Sequence, residues 1–357
     1  MINRQFWQGK KVLLTGCTGF KGSWLTIWLN MLGAKVFGYS LVAPTNPSMW
    51  EDSHLEQLCE EMCYADIRDY TCLEQYIKQV KPDIIVHMAA QPLVRYSYTN
   101  PRETYEVNVM GTVNLLDAIR NTGYGRAVVN VTTDKCYENK EWLWAYRENE
   151  PMGGHDPYSS SKGCSELVTA AFINSYFSHA DSKTIVGSGR AGNVIGGGDW
   201  AEDRLIPDII RSFSQQQAVE VRNPNSVRPW QHVLEPLSGY LTLAERLYTS
   251  GQEYSGGWNF GPLESDTKTV GEIVEQMCQT WGNSATWTHD QLEHPHEANL
   301  LRLDCSKARM LLNWHPVWNS AITLDKLTLW YKAYFEGQNM LELSQNQVNE
   351  YMKDTQC

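Results

Sequence analysis

A tyrosine and a lysine four residues apart, Tyr158 and Lys162, form a pair suited to proton transfer. In a helix, residues at this spacing lie on the same face. A lysine ammonium beside a phenol stabilises the phenolate and lowers its pKa, so the tyrosine can accept a proton from a hydroxyl group. Because such pairs also recur by chance on solvated helix faces, this interpretation depends on the rest of the chain.

A glycine-rich turn near the start of the chain supplies that context. The apolar run 12–14 leads into Gly16, Gly19 and Gly22, which form a Gly-x-x-Gly-x-x-Gly pattern. Glycine lets the backbone approach a pyrophosphate closely, and the helix that follows directs free N–H groups at the negative charge. The turn and the Tyr–Lys pair together predict an enzyme that binds a dinucleotide.

Strand and helix patterns alternate over the first half of the chain. Strands are predicted at 12–15, 35–39, 61–65, 83–88, 126–133 and 184–189, and helices at 22–31, 72–79, after Pro101 and from Pro157. Asp156 and Pro157 suit the N-cap and the first position of the helix that carries Tyr158. This alternation predicts an α/β fold, a doubly wound parallel Rossmann sheet with right-handed crossovers.

Beyond Arg190 the pattern loosens and becomes mostly helical. A helix is predicted over 231–249, and a short strand at 258–260 that rejoins the sheet. We expect two domains. The first, 1–190 plus about 231–262, binds the dinucleotide, and the second, about 191–230 plus 263–357, is a smaller and mostly helical substrate domain.

Composition narrows the class of protein. The net charge of −11 argues against nucleic-acid binding, and no apolar run reaches the length of a membrane span. The nine cysteines include no Cys-x-x-Cys pair, and the N-terminus lacks a signal-peptide core, so we expect a cytoplasmic protein with reduced thiols. We predict no metal, because His294, His296 and His315 lack the spacing of ligands.

These features together resemble the extended type of the short-chain dehydrogenase/reductase superfamily over almost the whole chain. The resemblance implies NAD as cofactor. The chain departs from the family pattern at the end of the second strand, where Tyr39 and Ser40 stand in place of the acid that binds the ribose, and no arginine is present there to favour NADP. It implies a cofactor site made of Gly16, Thr18, Gly19, Phe20, Lys21, Gly22, Asp66, Ile67, Ala89, Ala90, Gln91, Asn108, Tyr158 and Lys162.

Within this superfamily, the string Thr133-Asp134-Lys135 resembles the nucleotide-sugar 4,6-dehydratases, which remove water from a hexose. The resemblance implies that Thr133 hydrogen-bonds the hydroxyl to be oxidised and that Asp134 is the acid. Lys135 stands where glutamate is usual in these enzymes. It is either the base that removes the proton from C5 of the sugar or a protonated group that stabilises the enolate. This string and the segment 190–200 resemble the members that act on CDP-glucose, which implies CDP-4-keto-6-deoxyglucose as product, in deoxysugar biosynthesis for O-antigen lipopolysaccharide.

Candidate substrate contacts follow from the same resemblance. Arg228 lies in a string similar to the diphosphate-binding segment of relatives, and Arg204 and Arg302 are further candidates. The remaining candidates for the diphosphate or the hexose are Asn193, Arg95 and Ser97.

Other functions stay open from the sequence. A dehydratase acting on dTDP-glucose or GDP-mannose and a nucleotide-sugar 4-epimerase are the nearest alternatives, and a non-catalytic dinucleotide sensor is an alternative of another class. The resemblance also implies a homodimer or homotetramer that pairs through helices at about 102–121 and 157–178.

Overall fold

A seven-stranded parallel sheet forms the centre of the computed structural model, which describes residues 2–179, 181–282, 285–290 and 301–355. Its strands are β1 (Lys11–Thr15), β2 (Lys35–Ser40), β3 (Glu61–Tyr64), β4 (Ile84–His87), β5 (Ala127–Val131), β6 (Ile185–Arg190) and β7 (Gly256–Asn259). Their order is β7-β6-β5-β4-β1-β2-β3, with every neighbouring pair parallel. The sheet order places the carboxyl ends of β1, β4, β5 and β6 side by side at one edge.

Helices cover both faces of the sheet. The longer ones are α1 (Phe20–Met31), α2 (Tyr70–Val80), α3 (Gly111–Thr122), α4 (Pro157–Phe172), α5 (Leu205–Ser214), α6 (Leu234–Thr249), α7 (Val270–Trp281), α8 (Ser320–Phe335) and α9 (Met340–Asp354). Val12 and Leu14 on β1 belong to one hydrophobic core and Leu13 to the other. Because successive strand residues point to opposite faces, this division confirms the predicted doubly wound Rossmann fold.

Short elements complete the chain. Short helices or single helical turns cover Arg4–Trp7, Met49–Asp52, Leu55–Leu58, Val94–Thr99, Pro101–Tyr105, Glu106–Met110, Asp134–Cys136, Ile173–Phe177, Gly251–Tyr254, Glu264–Asp266 and Ala308–Leu312. Three two-stranded ladders pair Val194–Ile195 with Gln231–His232, Val219–Val221 with Trp287–His289, and Val227–Arg228 with Lys268–Thr269. In the part of the chain that the structure describes, every helix falls short of the length and apolar character needed to span a bilayer.

Most predicted elements are present, with shifted ends. The strand predicted at 258–260 is β7, and it pairs with β6 as expected. The helix predicted from residue 231 begins only at Leu234, because Gln231 and His232 pair with a strand after β6. The division into two domains stays a prediction.

Candidate active site

The glycine turn between β1 and α1 is shaped by close backbone packing. Gly16 has a φ of +72°, and a Cβ there would lie 2.6 Å from the backbone nitrogen of Ala89. A Cβ on Gly22 would lie 2.2 Å from the Gly16 carbonyl oxygen, whereas one on Gly19 would meet only that oxygen, at 3.5 Å. Gly16 and Gly22 are therefore required by packing, and Gly19 leaves the turn open to a ligand.

The N-terminus of α1 opens onto this turn. Gly19 is the N-cap and, among the described residues, no side chain caps the helix. The first N–H groups of a helix have no partner within the helix, and the helix dipole favours negative charge there. This open cradle and its donors fit the pyrophosphate of a dinucleotide.

Three cations meet beyond the carboxyl ends of the strands. Burial, together with the charges of Arg204 and Lys162, lowers the pKa of Lys21 to about 8, against the opposing effect of Asp134 and Asp199. Arg204 pairs with the buried Asp199 at 2.8 Å. This concentration of positive charge suits an anionic ligand.

Tyr158 is buried at the start of α4, where Asp156 caps the helix by accepting from the Ser159 N–H at 2.9 Å. Burial raises the pKa of Tyr158 to about 12, although a hydrogen bond from Thr133 lowers it. Lys162, whose own pKa burial lowers to about 8, donates to the Val131 carbonyl at 3.5 Å. The structure thus differs from the expectation of a lowered tyrosine pKa, because burial outweighs the neighbouring groups.

Thr133, Asp134 and Lys135 follow β5 directly. The Thr133 hydroxyl donates to Asp134 Oδ1 at 2.9 Å, and Asp134 is only 2% exposed. Its Oδ2 has no hydrogen-bond partner among the described residues and lies against Gly192, where a Cβ would come within 1.9 Å. Lys135 is half-buried. The structure therefore brings a phenol, a hydroxyl and a carboxyl group together.

A buried ion pair supports this arrangement and was not predicted from the sequence. Arg190 donates to Glu166 at 2.7 Å, and Thr132 donates to the same carboxylate at 2.5 Å. Burial opposes ionisation of Glu166, yet Arg190 and these hydrogen bonds hold its pKa below the usual value. The pair ties α4 to the ends of β5 and β6. In the sequence, the one indication of this pair was that Glu166 follows Lys162 by four residues, which places it on the same face of α4.

Several predicted cofactor residues bond to the protein itself. Asn108 donates to the Gln91 carbonyl at 3.0 Å and to the Ser161 hydroxyl at 2.8 Å, and so connects the loop after β4 to α4. Gln91 in turn donates to Thr104 at 2.8 Å. These contacts make Asn108 a positioning residue. Ala89 and Ala90 lie half-buried in the same loop.

The end of β2, where an acid that binds the cofactor ribose is expected, carries no carboxylate. Thr18 and Ser40 hydrogen-bond each other at 2.7 Å, and Tyr39 donates to the Asp66 carbonyl at 2.9 Å. Asp66 pairs with Arg68 at 2.6 Å. The side chains of two further predicted cofactor residues pack against glycines: Ile67 lies against Gly111, and Phe20 lies against Gly196.

Two of the predicted substrate residues near α4 are already engaged. The Ser97 hydroxyl donates to the Val94 carbonyl at 2.6 Å and accepts the Tyr158 N–H at 3.2 Å, so it positions α4. Arg95 pairs with Asp203 at 3.3 Å.

The other predicted substrate residues are spread around the site. Arg204 acts electrostatically on Tyr158, while Asn193 has a φ of +42° in the loop after β6. Arg228 lies on the short strand paired with Lys268–Thr269. Arg302 faces Glu264 at 2.8 Å and the Leu143 carbonyl at 2.5 Å. Two of the histidines considered for metal binding, His294 and His296, lie outside the described residues.

Known proteins resemble this chain throughout its length. It is 57% identical to a CDP-glucose 4,6-dehydratase from Salmonella typhimurium over 99% of both chains. It is 26% identical to a dTDP-glucose 4,6-dehydratase from Shigella flexneri, over 90% of this chain and 93% of that one.

Solved structures share the fold. A UDP-glucose-4-epimerase from Stenotrophomonas maltophila has a TM-score of 0.80 at 20% identity, over 92% of this chain and 99% of that one. DesIV, a dTDP-glucose 4,6-dehydratase from Streptomyces venezuelae solved with NAD bound, has a TM-score of 0.76 at 24% identity, over 93% and 99%. The family described as GDP-mannose 4,6 dehydratase matches residues 13–326. The chain therefore belongs to the GDP-mannose 4,6 dehydratase family of nucleotide-sugar dehydratases.

Proposed function

We propose that this protein dehydrates CDP-glucose to CDP-4-keto-6-deoxyglucose with NAD as cofactor. The observation that carries the proposal is the buried Thr133–Asp134 pair beside Tyr158. Removing water from a sugar needs a group that takes a proton and a group that gives one, and this site holds both. The choice of CDP-glucose is supported by the 57% identity to the Salmonella enzyme.

The cofactor is held by the glycine turn and by the free N–H groups of α1, with Lys21 beside them. Bound NAD would supply the hydride acceptor for oxidation at C4 and, once reduced, the hydride donor for C6. Tyr158 accepts the proton of the C4 hydroxyl, which Thr133 orients.

The elimination step uses the residues after β5. Lys135 removes the C5 proton, which the new C4 ketone makes acidic, and Asp134 protonates the departing C6 hydroxyl. Arg204 and Arg228 bind the diphosphate, whereas Arg302, paired with Glu264, secures the loop at Leu143.

The protein works as a homodimer or homotetramer built on α3 and α4. Two apolar side chains there face outwards: Met110, just before α3, is 50% exposed and Leu167 on α4 is 59% exposed. Leu167→Glu is expected to shift the species in sedimentation towards the monomer, whereas Leu311→Glu, at an exposed position elsewhere, leaves it unchanged. An oligomer that survives Leu167→Glu would place the interface elsewhere. The cytoplasmic location stays a prediction.

Proton NMR of the product tests the function. The protein is incubated in deuterium oxide with NAD and CDP-glucose, and we expect a 4-keto-6-deoxy sugar with one deuterium at C5. Turnover of dTDP-glucose, UDP-glucose or GDP-mannose instead would discard the CDP assignment and keep the reaction class. If none of these nucleotide sugars is converted, and Tyr158→Phe binds NAD as the wild type does, a non-catalytic dinucleotide sensor becomes the better interpretation of the function.

A further inference from the structure

One carboxylate at the rim of the candidate active site is shared by two arginines from distant parts of the chain. Asp203 Oδ1 lies 3.3 Å from a guanidinium nitrogen of Arg95, which follows β4. The same oxygen lies 3.7 Å from Arg222, which follows the short strand Val219–Val221. Arg95 donates a hydrogen bond to Asp203, whereas the Arg222 contact is longer than a hydrogen bond and acts through charge.

These residues adjoin the groups proposed for the reaction. Arg95 lies two residues before Ser97, whose hydroxyl accepts the Tyr158 N–H at 3.2 Å. Asp203 directly precedes Arg204, one of the cations that meet beyond the ends of the strands. The shared carboxylate therefore brings Arg222, which the sequence analysis did not single out, to the rim of the same site.

The ion pairs at this rim are open to exchange. The side chain of Asp203 is 46% exposed, that of Arg95 34% and that of Arg222 24%. Ion pairs with this much solvent around them are weak. A diphosphate carries more than one negative charge and offers several oxygens to guanidinium groups, so it binds them better than a single carboxylate does.

The charge of the whole chain makes local arginines valuable to an anionic ligand. The net charge is −11, so a negatively charged substrate depends on positive charge close to where it binds. Asp203 neutralises part of that charge, because its carboxylate faces two of the arginines at the rim. Its effect on an anion is therefore opposite to that of its neighbour Arg204.

We propose that the diphosphate of the nucleotide sugar competes with Asp203 for Arg95 and Arg222. This inference rests on the proposed function and adds these two arginines to a diphosphate site assigned there to Arg204 and Arg228. Ion pairs are exchanged and no covalent bond changes. Because substrate and product carry the same diphosphate, the competition weakens the binding of both and favours release of the product.

Asp203→Asn tests the competition, because it removes the charge and keeps the shape. Asp203 has a φ of +59°, a conformation that asparagine tolerates as aspartate does. In calorimetry at about 0.1 M salt, we expect the variant to bind CDP about fivefold more tightly than the wild type, and this gain should largely disappear at about 1 M salt. Equal or weaker binding at the lower salt concentration would overturn the competition, because a carboxylate that only holds the arginines in place weakens binding when it is lost.

Two further variants test whether the gain acts through the arginines. Glu202→Gln removes the same charge at the preceding exposed position and should leave the affinity for CDP close to that of the wild type. In protein that already carries Arg222→Gln, the added change Asp203→Asn should give a smaller gain. An undiminished gain there, or an equal gain in Glu202→Gln, would indicate plain repulsion between charges and contradict the competition.

Failure of this inference is distinct from failure of the proposed function. Wild-type protein that binds no CDP and forms no 4-keto-6-deoxy product from CDP-glucose would refute the proposed function. Wild-type protein that forms the product, with no gain in CDP affinity in Asp203→Asn, would refute the competition alone.

Discussion

Gly192 is the position at which substitution tests the placement of Asp134 most directly. A Cβ at residue 192 would lie 1.9 Å from Asp134 Oδ2 and 2.2 Å from its Cγ, where contacts below 3.0 Å are essentially never seen. The carboxyl group must therefore move by about 1 Å or more in Gly192→Ala, a shift that also strains the 2.9 Å bond from Thr133. No other described residue bonds to Oδ2 and resists this movement.

The size of the effect follows from that displacement. Misplacing a catalytic group by about 1 Å costs about 10²-fold in rate, or about 2.7 kcal/mol of activation free energy. We expect Gly192→Ala to lower kcat for CDP-glucose by this factor and to leave the affinity for NAD unchanged, because the glycine turn proposed to hold the pyrophosphate is untouched.

The assay compares two glycine variants. Formation of the 4-keto-6-deoxy product is followed for Gly192→Ala and for the control Gly261→Ala, whose Cβ would meet Cys305 at 3.5 Å and Leu303 at 3.7 Å, ordinary contact distances. NAD affinity is measured on both by fluorescence titration. Wild-type turnover by Gly192→Ala, or equal losses in the two variants, would refute the reasoning from the Asp134 contact.

Three further variants test other parts of the molecule. Lys135→Ala should slow exchange of the C5 proton with deuterium by at least about 10²-fold, and exchange at the normal rate in NMR would exclude Lys135 as the base. Glu166→Gln leaves Arg190 charged and buried, so urea denaturation should show a loss of about 3–5 kcal/mol in unfolding free energy, and no loss would argue against a tight pair. Burial raises the pKa of Glu235 from 4.5 to about 7. The folded state therefore retains a proton that the unfolded state releases, so this stability is present below pH 4.5 and is lost as pH rises through about 7. Glu235→Gln should lack that loss in urea titrations across this range, and identical pH profiles would contradict the assignment.

Features that depend only on residues close together in the chain were predictable from the sequence. The cap of α4 by Asp156, the shared helix face of Tyr158 and Lys162, and the glycine turn after β1 are all present. Each arises from local backbone geometry, which a few consecutive residues specify. The alternation of strands and helices predicted the doubly wound sheet for the same reason.

Hydrogen-bond partners distant in the chain were not predictable. Ser97 and Asn108 resemble ligand contacts in the sequence, yet their side chains bond to the protein and orient α4. Arg302 carries the charge suited to a diphosphate but pairs with Glu264. The type of a polar residue does not state which partner it meets, because that partner comes from another element.

The sequence by itself determined the fold class, the glycine turn after β1 and the candidate groups for proton transfer. Only the tertiary structure decided the burial, the pKa and the hydrogen-bond partners of those groups. Burial raises the pKa of Tyr158, Gly192 encloses one oxygen of Asp134, and the Thr133 hydroxyl donates to the other. These properties depend on desolvation and on contacts between β5, β6 and α4, which exist only once the distant strands and helices pack together.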